Sequence, residues 1–142
     1  MLVHGTALEV NGQAILLRGA SGAGKSDLAL RLLAKGAKLI GDDYVVLSQA
    51  DRSVFVRAAP ELHGMLEVRG VGIIYVSEVL PLDTPYPLFA VVDLCDREDV
   101  PRMPEDEDAQ TEILGIAVKR LALHSFDAST PLKIALVCGQ DL

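Results

Sequence analysis

The chain has 142 residues and half of them are apolar, so it is long enough to bury a core and is not intrinsically disordered. Its 20 acidic and 13 basic residues give a formal net charge of −7, which argues against a helicase or another nucleic-acid motor. No apolar run approaches the roughly 18 residues that a membrane span requires.

Neither the first residues nor the two cysteines indicate export. The N-terminus has no basic segment followed by an apolar one, and Cys95 and Cys138 lie far apart without metal-ligand spacing. Buried thiols in a reducing compartment are the simpler interpretation. Because the sequence shows no repeat, low-complexity tract or linker, we expect a single domain over residues 1–142, located in the cytoplasm.

The first two predicted strands form a hairpin. Residues 2–10 and 13–18 are strand-like, and the Asn11-Gly12 pair between them is the strongest short signal for a type I′ turn. The second strand therefore has an antiparallel partner directly before it. We expect an α/β protein with a mixed sheet rather than a purely parallel one.

A glycine-rich octapeptide follows this hairpin and opens a predicted helix that ends at Lys35-Gly36. Its G-x-x-x-x-G-K-S pattern indicates a P-loop, in which backbone N–H groups wrap a polyphosphate, the lysine reaches the β- and γ-phosphates, and the serine can ligate Mg²⁺. A turn that merely caps a helix is the alternative, but four fixed letters at this spacing arise by chance in well under roughly 1% of such chains. The predicted loop consists of Gly19, Ala20, Ser21, Gly22, Ala23, Gly24, Lys25 and Ser26.

Two adjacent acids, Asp42 and Asp43, close the next predicted strand at residues 38–43. In a P-loop domain that strand end lies near the phosphates, so one acid could hold Mg²⁺ through water or act as a general base on an attacking hydroxyl. A solvated turn is the alternative interpretation. Glu67 and Arg69 form a second candidate pair, with a carboxylate for the metal and a cation for phosphoryl oxygens, and a surface ion pair is their alternative.

The later part of the chain reads as short strands separated by turns. Residues 60–76 are expected to form an irregular functional loop, and prolines 81, 85 and 87 to exclude regular structure before residue 88. Residues 115–123 carry mixed helix and strand signals. The remaining predicted strands are 44–47, 54–56, 88–94, 111–118 and 132–138.

Four segments together resemble the catalytic domain of HPr kinase/phosphorylase. They are His4-Gly5, the P-loop at 19–26, Gly41-Asp42-Asp43, and residues 66–74, which read Leu-Glu-Val-Arg-Gly-Val-Gly-Ile-Ile. Their order and spacing match the family from residue 1 to about residue 94. The segment at 66–74 is the family's own signature and is far more specific than the P-loop.

The resemblance implies a P-loop nucleotide-binding fold with a mixed sheet, similar to that of phosphoenolpyruvate carboxykinase. It implies a kinase that uses ATP and Mg²⁺ to phosphorylate a regulatory serine on HPr, the phosphocarrier protein of the phosphotransferase system. Members also remove that phosphate by phosphorolysis, which consumes phosphate and produces pyrophosphate. The implied partner is HPr, and the implied assembly is a hexamer.

The resemblance also implies roles for individual residues. Lys25 and the rest of the P-loop form the nucleotide site, while Ser26 and Glu67 are the magnesium ligands. Asp43 takes the proton from the serine in the kinase direction and returns it in the reverse direction. His4 matches an active-site histidine, although a lone histidine in a strand is more often structural.

A further arginine from a mobile loop belongs to the family's site, and Arg102 is its best placement, with Arg97 as the second choice. The sequence departs from the usual family pattern at Ala20 and Tyr75, and it resembles a short form without the N-terminal domain and the C-terminal helices. Two other functions remain open at this point. One is a kinase of the same fold that acts on a small hydroxyl metabolite, and the other is a nucleotide-sensing module without catalysis.

Overall fold

The computed structural model of the protein describes residues 1–105 and 108–142. Its α-helices are α1 Lys25–Ala34 and α2 Thr130–Val137, and single 3-10 turns lie at Pro60–Leu62 and Arg97–Asp99. None of the described helices is long and apolar enough to cross a membrane. The described strands are β1 Leu2–His4, β2 Thr6–Val10, β3 Gln13–Arg18, β4 Lys38–Gly41, β5 Tyr44–Ala50, β6 Ser53–Ala58, β7 Met65–Val68, β8 Gly72–Tyr75, β9 Tyr86–Leu94, β10 Gln110–Ile113 and β11 Ile116–Leu123.

Most of these strands form one mixed sheet in the order β1-β5-β6-β9-β3-β2-β4, which β11 and β10 extend from β9. β3 and β11 both run parallel to β9. β4 points the same way as β3, because both are antiparallel to β2, which lies between them. The mixed sheet and the P-loop α/β class predicted from the sequence are confirmed. The carboxyl ends of β4, β3, β9 and β11 therefore meet at one edge, where α/β proteins bind ligands.

The central strands are buried on both faces because alternate side chains enter two different apolar clusters. Ile15 and Leu17 of β3 belong to the cluster that also contains Leu28 and Leu32 of α1. Leu16 lies in the other cluster, with Val45 to Val56 of the β5–β6 hairpin around it. β3, which leads into the P-loop, is thus held rigidly from both sides.

The predicted hairpin at the start of the chain is confirmed, since β2 pairs with β3 and both turn residues, Asn11 and Gly12, have positive φ. The single strand expected over residues 2–10 is instead broken at Gly5. A Cβ at this position would approach the carbonyl oxygen of Leu17 to 2.9 Å, so a side chain there would clash with the backbone of β3. On one side of Gly5, β2 pairs with β3; on the other side, β1 pairs with β5.

The strand predicted at residues 132–138 is wrong, because this segment lies in helix α2. Its buried residues, Thr130, Pro131, Ile134 and Cys138, follow a helical spacing, and Pro131 is in the first turn, where proline is tolerated. A short apolar run does not by itself distinguish a strand from a helix. The predicted strand at 111–118 is also wrong in part, because a turn at Leu114-Gly115 divides it into β10 and β11.

Two loop predictions need correction as well. Pro87 lies inside β9, where it pairs with Phe55 of β6 near the beginning of the strand, a position that proline tolerates. The segment predicted as an irregular loop over residues 60–76 contains the β7–β8 hairpin, whose strands pair in register from Met65↔Tyr75 to Val68↔Gly72. A regular hairpin therefore presents the family-like segment at 66–74.

An ion-pair cluster ties the three parallel strands together at their carboxyl ends. Asp93 of β9 accepts hydrogen bonds from Nε and Nη2 of Arg18 in β3, at 2.7 and 2.9 Å, and from Nε of Arg120 in β11 at 2.5 Å. Burial alone would raise the pKa of Asp93, but the hydrogen bonds and charges of the two arginines outweigh it and lower the pKa below its ordinary value. The cluster lies directly before the loops that follow β3 and β9.

Candidate active site

The P-loop connects β3 to α1 as the sequence predicts. Gly24 is the N-cap residue of α1 with a φ of 96°, which L side chains rarely adopt. Lys25 is buried, and its Nζ donates hydrogen bonds to the carbonyl oxygens of Gly19 at 2.7 Å and Ala20 at 3.1 Å. Burial lowers the pKa of Lys25, while the charges of Asp42 and Asp43 act in the opposite direction. Both carboxylates therefore act electrostatically on this ammonium group.

Asp42 is the buried acid of the predicted pair. Its Oδ1 accepts a hydrogen bond from Oγ1 of Thr6 at 2.8 Å, and the hydroxyl of Ser26 lies 3.2 and 3.3 Å from its two carboxylate oxygens. The backbone N–H of Glu67 donates to Oδ2 at 3.4 Å. The structure thus places Asp42 between the P-loop serine and the β7–β8 hairpin, in a fixed orientation.

Asp43 is the exposed acid, and its backbone is in the left-handed region with a φ of 68°. Its carbonyl oxygen accepts a hydrogen bond from the N–H of Gly5 at 2.9 Å, and its Oδ1 lies 3.2 Å from Nε2 of His4. The two side chains are 57% and 41% exposed. The structure thus places His4 beside Asp43 and leaves the Asp43 carboxylate exposed to solvent.

Glu67 and Arg69 lie at the end of the β7–β8 hairpin. Leu66 anchors β7 in the core, while the side chains of Glu67 and Arg69 are exposed. The alternative of a surface ion pair between them is not seen, because no salt bridge joins the two within the described part of the chain. The backbone contact from Glu67 to Asp42 brings this end of the hairpin to the Ser26 hydroxyl.

The two candidate loop arginines are placed differently. Arg97 is paired with Asp127, at 2.6 Å between Nη2 and Oδ1. Arg102 is exposed, and no hydrogen bond or ion pair joins it to residues 1–105 or 108–142. Among the described residues, no hydrogen bond or ion pair joins either arginine to the P-loop or to the acidic pair. The role expected for Arg102 therefore stays a prediction.

Two residues that contact the P-loop, Ser125 and Phe126, were not predicted from the sequence. Oγ of Ser125 donates a hydrogen bond to the carbonyl oxygen of Ala23, and Phe126 packs beside Gly24. An open cavity of ≈ 340 Å³ lies next to them, where the chain leaves β3, β9 and β11; it is called the strand-end cavity below. The role of Thr6 was also missed, although the sequence contained a hint of it, because Thr6 is a polar residue in a strand that is otherwise buried. Nothing in the sequence indicated that Ser125 and Phe126 contact the P-loop.

The oxygen donors near the P-loop suit a magnesium ion. Ser26 offers a hydroxyl and Asp42 a carboxylate, and Glu67, whose backbone N–H contacts Asp42, carries a second carboxylate; these are hard ligands of the kind that Mg²⁺ prefers. No group of three or more His, Cys, Asp or Glu side chains that could hold a metal by itself is found in residues 1–105 and 108–142. Proteins usually hold Mg²⁺ by one or two carboxylates together with substrate phosphates, so these residues fit an ion that arrives with a polyphosphate.

Gly24→Ala is expected to weaken polyphosphate binding and to destabilise the fold by about 1–3 kcal/mol. The added Cβ would come within 2.4 Å of Oγ of Ser125 and 2.8 Å of the Phe126 ring, and the backbone φ of 96° at this position is unfavourable for alanine. Gly12→Ala is the matched control, because Gly12 has a φ of 81° and open space around it. Chemical denaturation measures both variants, and equal losses of stability would show that the contacts at Gly24 contribute nothing beyond backbone strain.

Comparison with known proteins gives one consistent family. Residues 1–128 match the family model described as HPr Serine kinase C-terminal domain. The HPr kinase/phosphorylase of Geobacillus thermodenitrificans is 35% identical over 127 residues, 85% of this chain and 41% of the relative. That of Lactobacillus acidophilus is 47% identical over 78 residues, 54% of this chain and 24% of the relative. The matches thus cover less than half the length of these curated relatives.

A solved structure supports the fold independently. The Hpr(Ser) kinase/phosphatase from Coxiella burnetii superposes with a TM-score of 0.81, over 96% of this chain and 87% of that chain, at 23% sequence identity. At this identity the superposition establishes a shared fold.

Proposed function

We propose, on the premise that this chain belongs to the HPr serine kinase C-terminal domain family, that it is a phosphotransferase that uses ATP and Mg²⁺ to phosphorylate a serine on an HPr-type phosphocarrier protein. Removal of that phosphate by phosphorolysis, in which inorganic phosphate attacks the phosphoserine and pyrophosphate is formed, belongs to the same proposal. The proposal also includes three predictions made from the sequence: a catalytic domain spanning residues 1–142, a hexameric assembly and a cytoplasmic location.

The observation that carries the proposal is the pair of carboxylates beside the P-loop, one buried and one exposed. Asp42 is held against Ser26 inside the site, and its neighbour Asp43 faces outward with His4. The buried acid is suited to orient a metal ligand. The exposed acid is suited to meet a hydroxyl that is carried on the surface of another protein.

In the forward reaction, the serine oxygen of the partner attacks the γ-phosphorus of ATP, and the bond to the β,γ-bridging oxygen breaks with its electron pair on ADP. The proton of the serine hydroxyl goes to the carboxylate of Asp43. In the phosphorolysis reaction, an oxygen of hydrogen phosphate attacks the phosphoserine phosphorus, and the bond to the serine oxygen breaks with its electron pair on that oxygen. Asp43 gives a proton to the departing serine oxygen, and the attacking phosphate replaces this proton as pyrophosphate forms. One residue serves in both reactions because the same serine oxygen loses a proton in the first and gains one in the second.

The other residues position and neutralise charge, which is most of what phosphoryl transfer requires. Lys25 exchanges its carbonyl partners on the P-loop for the β- and γ-phosphates. His4 holds the carboxylate of Asp43 through the 3.2 Å contact. Ser26 and Glu67 would hold Mg²⁺, with Asp42 orienting the serine hydroxyl; when bound, the ion neutralises charge on the phosphate oxygens.

Glu67→Gln is expected to raise the Mg²⁺ concentration needed for half-maximal transfer by at least about tenfold, because the carboxylate charge is lost while the hairpin remains. The measurement is a Mg²⁺ titration of transfer at saturating ATP. Glu61→Gln is the control, since Glu61 is also exposed and precedes the same hairpin. An unchanged Mg²⁺ requirement in Glu67→Gln would rule out Glu67 as a metal ligand.

The acceptor is tested directly with ATP labelled at the γ-phosphate. The purified chain is incubated with Mg²⁺ and either an HPr protein or a panel of small hydroxyl metabolites. Label on HPr, lost when its regulatory serine is replaced by alanine, is the expected result. Label on metabolites alone would favour the small-molecule kinase, and ATP binding without transfer to any acceptor would favour the nucleotide-sensing module.

A further inference from the structure

A second part of the site lies on the other side of the P-loop from the acidic pair. Within the sheet, β4 with Asp42 and Asp43 lies on one side of β3, and β9 and β11 lie on the other. The strand-end cavity is formed where β3, β9 and β11 end, by Ala23, Cys95, Asp96, Asp99, His124 and Phe126 among others. A linear polyphosphate bound in the P-loop with its terminal phosphate near Asp43 therefore has its other end near this cavity.

The cavity offers an aromatic face at the edge of the P-loop. Phe126 is 56% exposed although it is a large apolar side chain, and its ring lies close to Gly24. His124 stands edge-on to it, with ring centroids 5.8 Å apart and an interplanar angle of 70°. An exposed ring that is held in place in this way is a stacking surface for a flat heterocycle.

The polar groups of the cavity favour hydrogen-bond donors over anions. Nδ1 of His124 lies 2.9 Å from the carbonyl oxygen of Cys95, which can only accept, so Nδ1 donates this hydrogen bond. Asp96 and Asp99 add carboxylates to the lining. Acceptors and negative charge suit an exocyclic amine and ribose hydroxyls, and they would repel a further phosphate.

We propose that the strand-end cavity binds the purine nucleoside part of the phosphate donor, with the base stacked on Phe126. This assignment rests on the proposed function, because it takes the ligand of the P-loop to be a nucleoside triphosphate. The P-loop then binds the phosphates, the acidic pair lies at the reacting end, and Phe126 holds the base at the opposite end.

The test compares ATP with inorganic tripolyphosphate, which has the phosphates but no nucleoside, by calorimetry in the presence of Mg²⁺. Phe126→Ala is expected to weaken ATP binding by about tenfold or more and to leave tripolyphosphate binding within about twofold. Phe126→Leu keeps apolar bulk but removes the aromatic face, so it should show the same selective loss. Tyr75→Ala, which removes another highly exposed aromatic side chain, should change neither affinity.

The outcomes separate the two proposals. If the unmodified chain binds both compounds and neither Phe126 variant weakens ATP binding, the cavity assignment is wrong while the proposed function stands. Equal weakening of ATP and tripolyphosphate would also overturn the assignment, because Phe126 would then support only the P-loop. If the unmodified chain binds neither compound, the proposed function fails and the cavity assignment fails with it.

Discussion

Asp43→Asn is expected to lower the rate of phosphoryl transfer to HPr by about 10²–10⁴-fold while leaving ATP affinity nearly unchanged. The substitution removes the group that accepts the serine proton and keeps the size of the side chain. Asparagine tolerates the left-handed backbone that Asp43 adopts at a φ of 68°, so the turn after β4 and its hydrogen bond from Gly5 should persist. Single-turnover transfer and equilibrium ATP binding measure the two effects separately.

Asp51→Asn is the matched control for this experiment. Asp51 is also an exposed aspartate with positive φ, at 50°, but it lies in the turn between β5 and β6, away from the P-loop. Its substitution should leave transfer unchanged. Normal transfer by Asp43→Asn would remove Asp43 from the mechanism, and a parallel loss of ATP binding would mean that the carboxylate acts on the nucleotide site rather than on the serine.

The sequence was sufficient for the parts of the site that are encoded locally. The P-loop pattern lies within eight residues, and Asn11-Gly12 specifies the hairpin that makes the sheet mixed. The proximity of Asp42 to Ser26 also followed, because a strand after the P-loop helix returns to the edge where that loop begins. These predictions concern residues that lie close together in the chain, and the local sequence largely determines how such residues are arranged.

The features that the sequence did not reveal depend on contacts between distant segments. Thr6 is a partner of Asp42 only because β2 lies between β3 and β4. Ser125 and Phe126 reach the P-loop from about a hundred residues away, through the parallel pairing of β11 with β9. The apolar run in α2 failed as a strand prediction for a related reason, because only its packing against the core shows that its buried residues have a helical spacing.

Asp93→Asn is expected to destabilise the fold by about 2–3 kcal/mol at pH 7. It leaves Arg18 and Arg120 close together without the carboxylate that both bind, at 2.7 and 2.5 Å. The side chains are partly exposed, so the expected loss is smaller than for a fully buried pair. Asp27→Asn is the control, since it breaks an exposed pair with Arg31 one turn along α1 and should cost no more than about 0.5 kcal/mol.

The pH dependence of this loss identifies its electrostatic origin. Because the pKa of Asp93 is lowered in the folded state, its stabilising contribution is fully present above the ordinary aspartate pKa of about 3.9 and disappears as the pH falls through the folded-state pKa. The difference in unfolding free energy between the unmodified chain and Asp93→Asn should therefore be constant from neutral pH down to about pH 5 and shrink below about pH 4. A difference that does not change with pH would indicate that Asp93 contributes through packing alone, and that the ends of β3, β9 and β11 are aligned without the charge.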